Sequence, residues 1–238
     1  MTQQSTFLTA EWKHLLMMNY VVDPALLQPF VPAGTSLDAF DGKTFVSLVG
    51  FLFNETRISG VAIPFHRSFE EVNLRFYVRR DSKRGVVFIR ELVPKAAVAA
   101  IARYAFGEKY SCVPMSHRIH TRLDGDVIEA EYNWGAGTSR CSLQIETSGA
   151  GFLPADGSLG QFITEHYWGY ASQRDGGCVE YEVQHPQWLV KNAKTAEFSG
   201  DATNFYGDAL GKAVMRKPDS AFLAEGSPVT VFKGARIA

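Results

Sequence analysis

Turn signals recur along this chain at the interval expected of hairpin-connected strands, and that rhythm limits the fold more than any other feature. Pro32-Ala33-Gly34, Asp41-Gly42, Asp124-Gly125 and Asp175-Gly176-Gly177 each separate segments that read as strands. Between them, residues 44–53 (TFVSLVGFLF) form a nearly continuous apolar run, while Val127–Trp134 and Cys178–Gln184 alternate in part. The pattern predicts a mainly β, α+β protein built on an antiparallel sheet. Two segments depart from it. Residues 94–106 open with Pro94, continue through an alanine-rich body and stop at Gly107, which predicts a helix with an apolar stripe of Val98, Ile101, Ala102 and Ala105 packed on the sheet. A weaker helical signal covers residues 158–166, with Ser158 as its N-cap. The stretch 191–218 is mixed and carries no assignment.

At 238 residues the chain is long for one unit, but barrels and sandwiches of about 200–250 residues fold as one, so residues 1–238 are expected to be a single domain. Aromatics at 13% of the sequence are enough to wall a cavity as well as fill a core. Lys plus Arg number 24 against 25 for Asp plus Glu, so no global field draws the chain to nucleic acid or to an anionic membrane. No stretch approaches the ~20 apolar residues needed to span a bilayer. Glu11, Lys13, His14 and Asp23 break up the first thirty residues, unlike a secretory leader. Cys112, Cys141 and Cys178 are odd in number and lack a C-x-x-C spacing. A reduced, cytoplasmic protein without a metal is the expectation, and homo-oligomerisation stays open. No glycine-rich dinucleotide or phosphate loop, nucleophile elbow or zinc-protease motif occurs, so no cofactor is expected.

The candidate chemistry lies in residues 69–110. In residues 70–78 (EEVNLRFYV) a period of two separates an apolar face, Val72, Leu74, Phe76 and Val78, from a face bearing Glu71, Asn73, Arg75 and Tyr77. Residues 86–93 (VVFIRELV) follow a short polar turn at Asp81 to Gly85 and read as the second strand of a hairpin. If Lys83 centres the hairpin, Arg75 faces Glu91 and Glu71 faces Lys95, giving two opposite-charge cross-strand pairs. Lys95 then stands in the first turn of the helix, where the dipole and burial would lower its pKa. Such an amine attacks ketones to form Schiff bases, and a nearby carboxylate such as Glu71 could shuttle protons. The same residues also read as ordinary structure: Lys95 with Glu71 as a solvated pair, and Arg75 with Glu91 as an ion pair on a wet sheet face.

Other candidates are weaker. His117 and His120 have ligand spacing only on a helix, which Pro114 argues against, so a structural or surface role is expected. His166, Tyr167, Trp168, Tyr170, His185 and Trp188 form aromatic clusters that build cores or line pockets.

Several segments taken together resemble a known family. They are residues 69–78 (FEEVNLRFYV), 90–95 (RELVPK), Ala102-Arg103-Tyr104 with Tyr110, 113–117 (VPMSH), 165–170 (EHYWGY) and 185–188 (HPQW). They resemble successive landmarks of the bacterial family of domains of unknown function numbered 2071, itself similar in fold to acetoacetate decarboxylase. The resemblance implies an acetoacetate-decarboxylase-like antiparallel β-barrel, closed or cone-like, with a central small-molecule cavity. Arg90-Glu91 and Pro94-Lys95 resemble the decarboxylase motif, which would make Lys95 the Schiff-base nucleophile; Ala96 stands where the decarboxylases carry a second lysine.

Three functional expectations follow. The first is a barrel with a pocket for a small organic molecule, anionic because Arg75, Arg90 and Lys95 lie nearby. Glu71, Glu91 and Lys95 would then be the catalytic candidates, and Asn73, Tyr77, Tyr104 and His117 would join the two arginines in binding. The second is a keto-acid lyase dependent on Lys95. The third is a non-catalytic interaction or assembly module.

Overall fold

A computed structural model of the protein describes residues 5–62, 64–123 and 127–238. In chain order the strands are β1 (Thr6–Val22), β2 (Ser36–Leu37), β3 (Thr44–Ile58), β4 (Val61–Ala62), β5 (Phe69–Arg80), β6 (Lys83–Val93), β7 (Tyr110–Cys112), β8 (Met115–Thr121), β9 (Val127–Trp134), β10 (Cys141–Thr147), β11 (Trp168–Ser172), β12 (Cys178–Gln184), β13 (Val190–Ser199), β14 (Ser220–Phe232) and β15 (Ala235–Arg236). The α-helices are α1 (Pro24–Leu27), α2 (Ala96–Phe106), α3 (Leu159–Thr164), α4 (Thr203–Tyr206) and α5 (Asp208–Val214). The protein is mainly β. The strands over 127–134 and 178–184 match the sequence pattern, and the apolar run starting at Thr44 continues five residues further, to Ile58. The unassigned stretch 191–218 holds most of β13 and helices α4 and α5. The expected turn at Asp124-Gly125 lies outside the described residues.

Seven strands pair in the order β12, β11, β6, β5, β3, β1 and β14, and β14 then pairs back onto β12 at Val183↔Val231 and Gln184↔Thr230. The sheet therefore closes into a ring. Most contacts are antiparallel, but β11 and β7 both run parallel to β6. A second layer grows from the same sheet: β14 pairs with β13 at Phe222–Ala224, and β13 leads through β10 and β9 to β8.

Two cores follow from this layering. One lies outside the ring, where Leu16, Met18, Leu48, Leu74 and Phe76 meet Tyr132, Trp134, Leu143 and Ile145 of the second layer, with Leu210 and Val214 of α5. The other lies inside and includes Met17, Phe51, Phe53, Phe69, Phe162 and Trp188. Strands β1, β3 and β5 contribute alternate residues to each, so their apolar content is high on both faces. Glycine lets the layers approach. A Cβ on Gly50 would lie 2.7 Å from the Tyr132 ring, whose hydroxyl donates to the His14 carbonyl at 2.8 Å.

The hairpin of β5 and β6 turns at Asp81-Ser82, with Arg80 opposite Lys83 and Asp81 in the left-handed region at φ 53°. This corrects the register centred on Lys83: Arg75 faces Phe88, and Glu91 faces Asn73. The physical reason is Gly85, which is a strand residue and not a turn residue. It pairs with Trp168 of β11, and a Cβ there would lie 2.6 Å from Tyr170 and 2.7 Å from the Trp168 carbonyl. A bulge between Leu74 and Arg75 then shifts the register one residue back toward the expected one. Helix α2 starts later than expected, because Pro94 and Lys95 make the corner after β6 and Lys95 is the N-cap. Its end at Gly107, at φ 76°, and the Ser158 cap of α3, which accepts from the Gln161 amide at 3.2 Å, agree with the sequence.

On its other edge, away from β1, β14 passes from β13, at Phe222–Ala224, to β12, at Thr230 and Val231, and between the two lies Gly226, at φ 86°, where an added Cβ would lie 2.0 Å from the Trp12 carbonyl oxygen. Gly226→Ala is expected to lower stability by roughly 2–4 kcal/mol, combining left-handed strain with overlap against backbone. Gly176→Ala, at φ 84° with nothing within 4 Å of the added Cβ, should cost only the strain, about 1–2 kcal/mol. Urea titrations of the two variants check the difference.

Candidate functional site

Alternation along β5 builds the site. Val72, Leu74, Phe76 and Val78 fill the outer core, so Glu71, Asn73, Arg75 and Tyr77 point into the ring. The expected wet polar face is instead buried: Glu71 and Asn73 are each 2% exposed, Arg75 8% and Tyr77 1%. Cross-strand pairing sets Glu91 beside Asn73 on β6, and parallel pairing sets Tyr110 of β7 beside Glu91. Glu108, two residues earlier on the same side, is buried with them.

Three carboxyl groups thus share one interior. Asn73 Nδ2 donates to Glu71 Oε1 at 2.9 Å, the Tyr110 hydroxyl donates to Glu71 Oε2 at 2.9 Å, and the Tyr181 hydroxyl donates to Glu108 Oε1 at 2.7 Å. Glu91 Oε2 and Asn73 Oδ1 are buried without a hydrogen-bond partner among the described residues. Burial disfavours the charged form of each acid. It pushes Glu71 up to about 7 and Glu108 up to about 8, against the hydrogen bonds each receives. Glu91 is raised well above the usual range by burial and then by the neighbouring Glu108 and Glu71. Burial and the carboxylates likewise keep Tyr110 and Tyr181 protonated, so both phenols act as donors.

Arg75 lies one step further along β5. One Nη donates to the Ile163 carbonyl at 3.2 Å, and Nε has no partner. No carboxylate comes within ion-pair distance of it among the described residues. Behind it a polar chain is fully bonded: the Tyr77 hydroxyl donates to Ser47 Oγ, Ser47 donates to Asn19 Oδ1 at 2.6 Å, and Asn19 donates to Ser220 Oγ at 3.1 Å. His166 packs on Tyr77 with ring centroids 4.7 Å apart. Its pKa is depressed well below the usual range by burial and then by Arg84 and Arg75, which makes it a neutral imidazole.

These groups surround a cavity of about 160 Å³ inside the ring. Helices plug its ends. At the Arg75 end, α3 brings Ile163 and also Phe162, whose ring centroid is 5.1 Å from Tyr77. At the other end, α2 lays Ala97, Val98, Ile101 and Ala102 over the cavity, so the predicted apolar stripe roofs the interior in addition to packing on strands. Among the described residues no group of three or more His, Cys, Asp or Glu is arranged to hold a metal ion.

Of the residues singled out by sequence, Glu71, Asn73, Arg75 and Glu91 come together on the cavity wall, and Tyr77 lies just behind them. Lys95 does not join them. It is half-buried at the N-cap of α2 and is not among the lining residues. Arg90 points to the opposite side of β6, exposed, with Ser111 Oγ at 3.4 Å. Tyr104 is 94% exposed, and His117 is an exposed partner of Glu70 at 2.7 Å. His120 pairs with Glu129 at 3.0 Å. From the aromatic clusters His166, Trp168, His185 and Trp188 reach the wall, whereas Tyr170 packs in the outer core. Sequence reasoning missed Glu108 and Tyr181. Glu108 sits between Gly107 and Lys109 and reads as a loop charge; only the return of α2 to β7 turns it inward.

The model of the family of domains of unknown function 2071, described as an uncharacterized conserved protein, matches residues 9–228. The uncharacterized protein YqjF of Bacillus subtilis is 26% identical over 201 residues, covering 84% of this chain and 81% of that protein. Among solved structures, acetoacetate decarboxylase from Legionella pneumophila aligns with a TM-score of 0.70 at 12% identity, covering 98% of this chain and 87% of that one. The enduracididine biosynthesis enzyme MppR complexed with pyruvate aligns with a TM-score of 0.69 at 12% identity, covering 100% and 92% of the two chains. At these identities the likeness is one of fold. The chain has an acetoacetate-decarboxylase-like fold and belongs to the family of domains of unknown function 2071.

Proposed function

We propose that the ring interior binds a small anionic organic molecule and exchanges protons with it through Glu71, Glu91 and Glu108. The observation that carries this reading is Arg75. A buried guanidinium without a counter-charge costs several kcal/mol, and a ligand carboxylate supplies that charge together with partners for the free N–H. The carboxyl cluster cannot neutralise Arg75 fully while its members hold protons near neutral pH. Acids poised at about 7 and 8 can give and take protons at that pH, which suits general acid–base work on a bound carbonyl compound.

The inward placement of Glu71, Arg75 and Glu91 favours this reading over an assembly module, which would turn those charges to solvent. The Schiff-base reading has weaker support, since Lys95 does not line the cavity. Borohydride added with excess acetoacetate or pyruvate should leave Lys95 unmodified by mass spectrometry; an adduct there would restore the lyase.

Arg75→Met keeps the apolar stem and removes the charge. Isothermal titration with acetoacetate and pyruvate should show affinity falling about 10- to 100-fold in this variant, the range for a charge-assisted hydrogen bond. Equal affinity in both proteins would remove Arg75 from the site.

The acids also set a pH dependence. Folded-state values of about 7 and 8 lie above the 4.5 of a free glutamate, so the native state holds protons that the unfolded chain releases. The stability contribution of this cluster is full below about 4.5 and is lost as pH rises through 7 to 8. Urea midpoints should therefore fall between pH 5 and pH 8.5, and Glu108→Gln should flatten that slope.

A further inference from the structure

The strand registers reveal a polarity gradient along the cavity. At one end Arg75 pairs with Ser47, next to Tyr77 and beneath α3. Moving back along β5, Asn73 pairs with Val49 and Glu71 with Phe51, and at the far end Phe69 pairs with Phe53, their rings stacked at 4.8 Å. Same-face residues on a strand are about 7 Å apart, so the three steps from Arg75 to Phe69 cover about 20 Å of backbone. Long side chains from both ends shorten the free path between them. Beyond Phe69 the wall is mainly apolar, with Thr56 and His66 as its polar members: Trp12 meets Phe51 and Phe53 edge-on at 5.4 and 5.7 Å, and Ile101 and Val98 of α2 close over it. The charged end and the hydrocarbon end are thus separated by the carboxyl cluster.

Charge and size narrow what fits. Arg75 is the one lysine or arginine among the described residues of the wall, which matches a single negative charge and not a phosphate dianion. A cavity of about 160 Å³ compares with the roughly 150 Å³ apolar cavity that accommodates benzene, so a ring or short chain fits and a nucleotide does not.

We infer that the ligand is an apolar-tailed monocarboxylic acid, its carboxylate on Arg75 and its aliphatic or aromatic tail against Phe53, Phe69 and Ile101. This rests on the proposed reading of Arg75 as the anion site and adds the identity of the rest of the ligand. The atoms next to the carboxylate lie over Glu71 and Glu91, while the tail stays clear of the acids. A short polar keto acid would fill the charged end and leave the hydrocarbon end without contacts.

Calorimetric titration of the full chain with acetate, butyrate and hexanoate tests the tail, with hexanamide as a neutral control and pyruvate and acetoacetate as short polar acids. Affinity should rise about fourfold per added methylene until the cavity is filled. Hexanoate should outbind both pyruvate and acetoacetate, and hexanamide should bind at least tenfold more weakly than hexanoate. In Ile101→Gln, whose substituted side chain lies on the half-buried face of α2, the gain per methylene should shrink. Binding of pyruvate or acetoacetate with no gain along the aliphatic series would overturn the tail assignment and leave the anion site standing. Hexanamide binding as tightly as hexanoate, or no binding by any acid to the folded wild-type protein, would overturn both.

Discussion

A strand buried on both faces is the constraint on which this molecule depends. Between Glu71 and Val78, strand β5 has water on neither side: its even-numbered residues face the second layer, and its odd-numbered residues face the inside of a closed ring. Closure through β12 and β14 removes the solvent that Glu71, Asn73 and Arg75 would have on an open sheet. In an open sheet these would be screened surface charges worth little. Inside the ring they are desolvated, and their protonation and pairing change.

The second layer supports that interior from outside, and the helices close it and contribute to it. Tyr132 and Trp134 press β9 onto the outer face of the ring, and Gly50 admits the Tyr132 ring at a distance no Cβ would allow. Helix α3 seals the Arg75 end, and α2 roofs the apolar end while carrying the chain from β6 to β7, which delivers Glu108 and Tyr110. One crossover thus supplies both a hydrophobic cover and two polar groups of the site.

Electrostatically the interior is asymmetric. A guanidinium fixed to a backbone carbonyl lies at one end, and three acids whose charged forms are disfavoured lie beside it. Hydrogen bonds from Asn73, Tyr110 and Tyr181 offset part of the burial cost, which is why Glu71 and Glu108 stay near neutrality. Such a set differs from a structural ion-pair network, in which opposite charges would meet within salt-bridge distance.

Much of the fold was legible in the chain because its signals are local. Alternation at Val127–Trp134 and Cys178–Gln184, the Gly107 stop and the Ser158 cap depend on neighbours a few residues away, and they locate the elements. The split of residues 70–78 into two faces also came from local order, and it named Glu71, Asn73 and Arg75. What lay beyond reach was set by contacts distant in sequence. Gly85 reads as a turn glycine until β11 packs against it, so the hairpin register and the pairing of Glu91 with Asn73 came from the tertiary structure. Lys95 reads as a site residue until β6 ends in a corner that leaves it outside the cavity wall, and Glu108 reads as a loop charge until α2 turns it inward. The sequence by itself determined β3, β5, β6, β9 and β12 and which side chains of β5 share a face. Only the closure of the ring decided which face is dry, because burial is a property of what covers a residue.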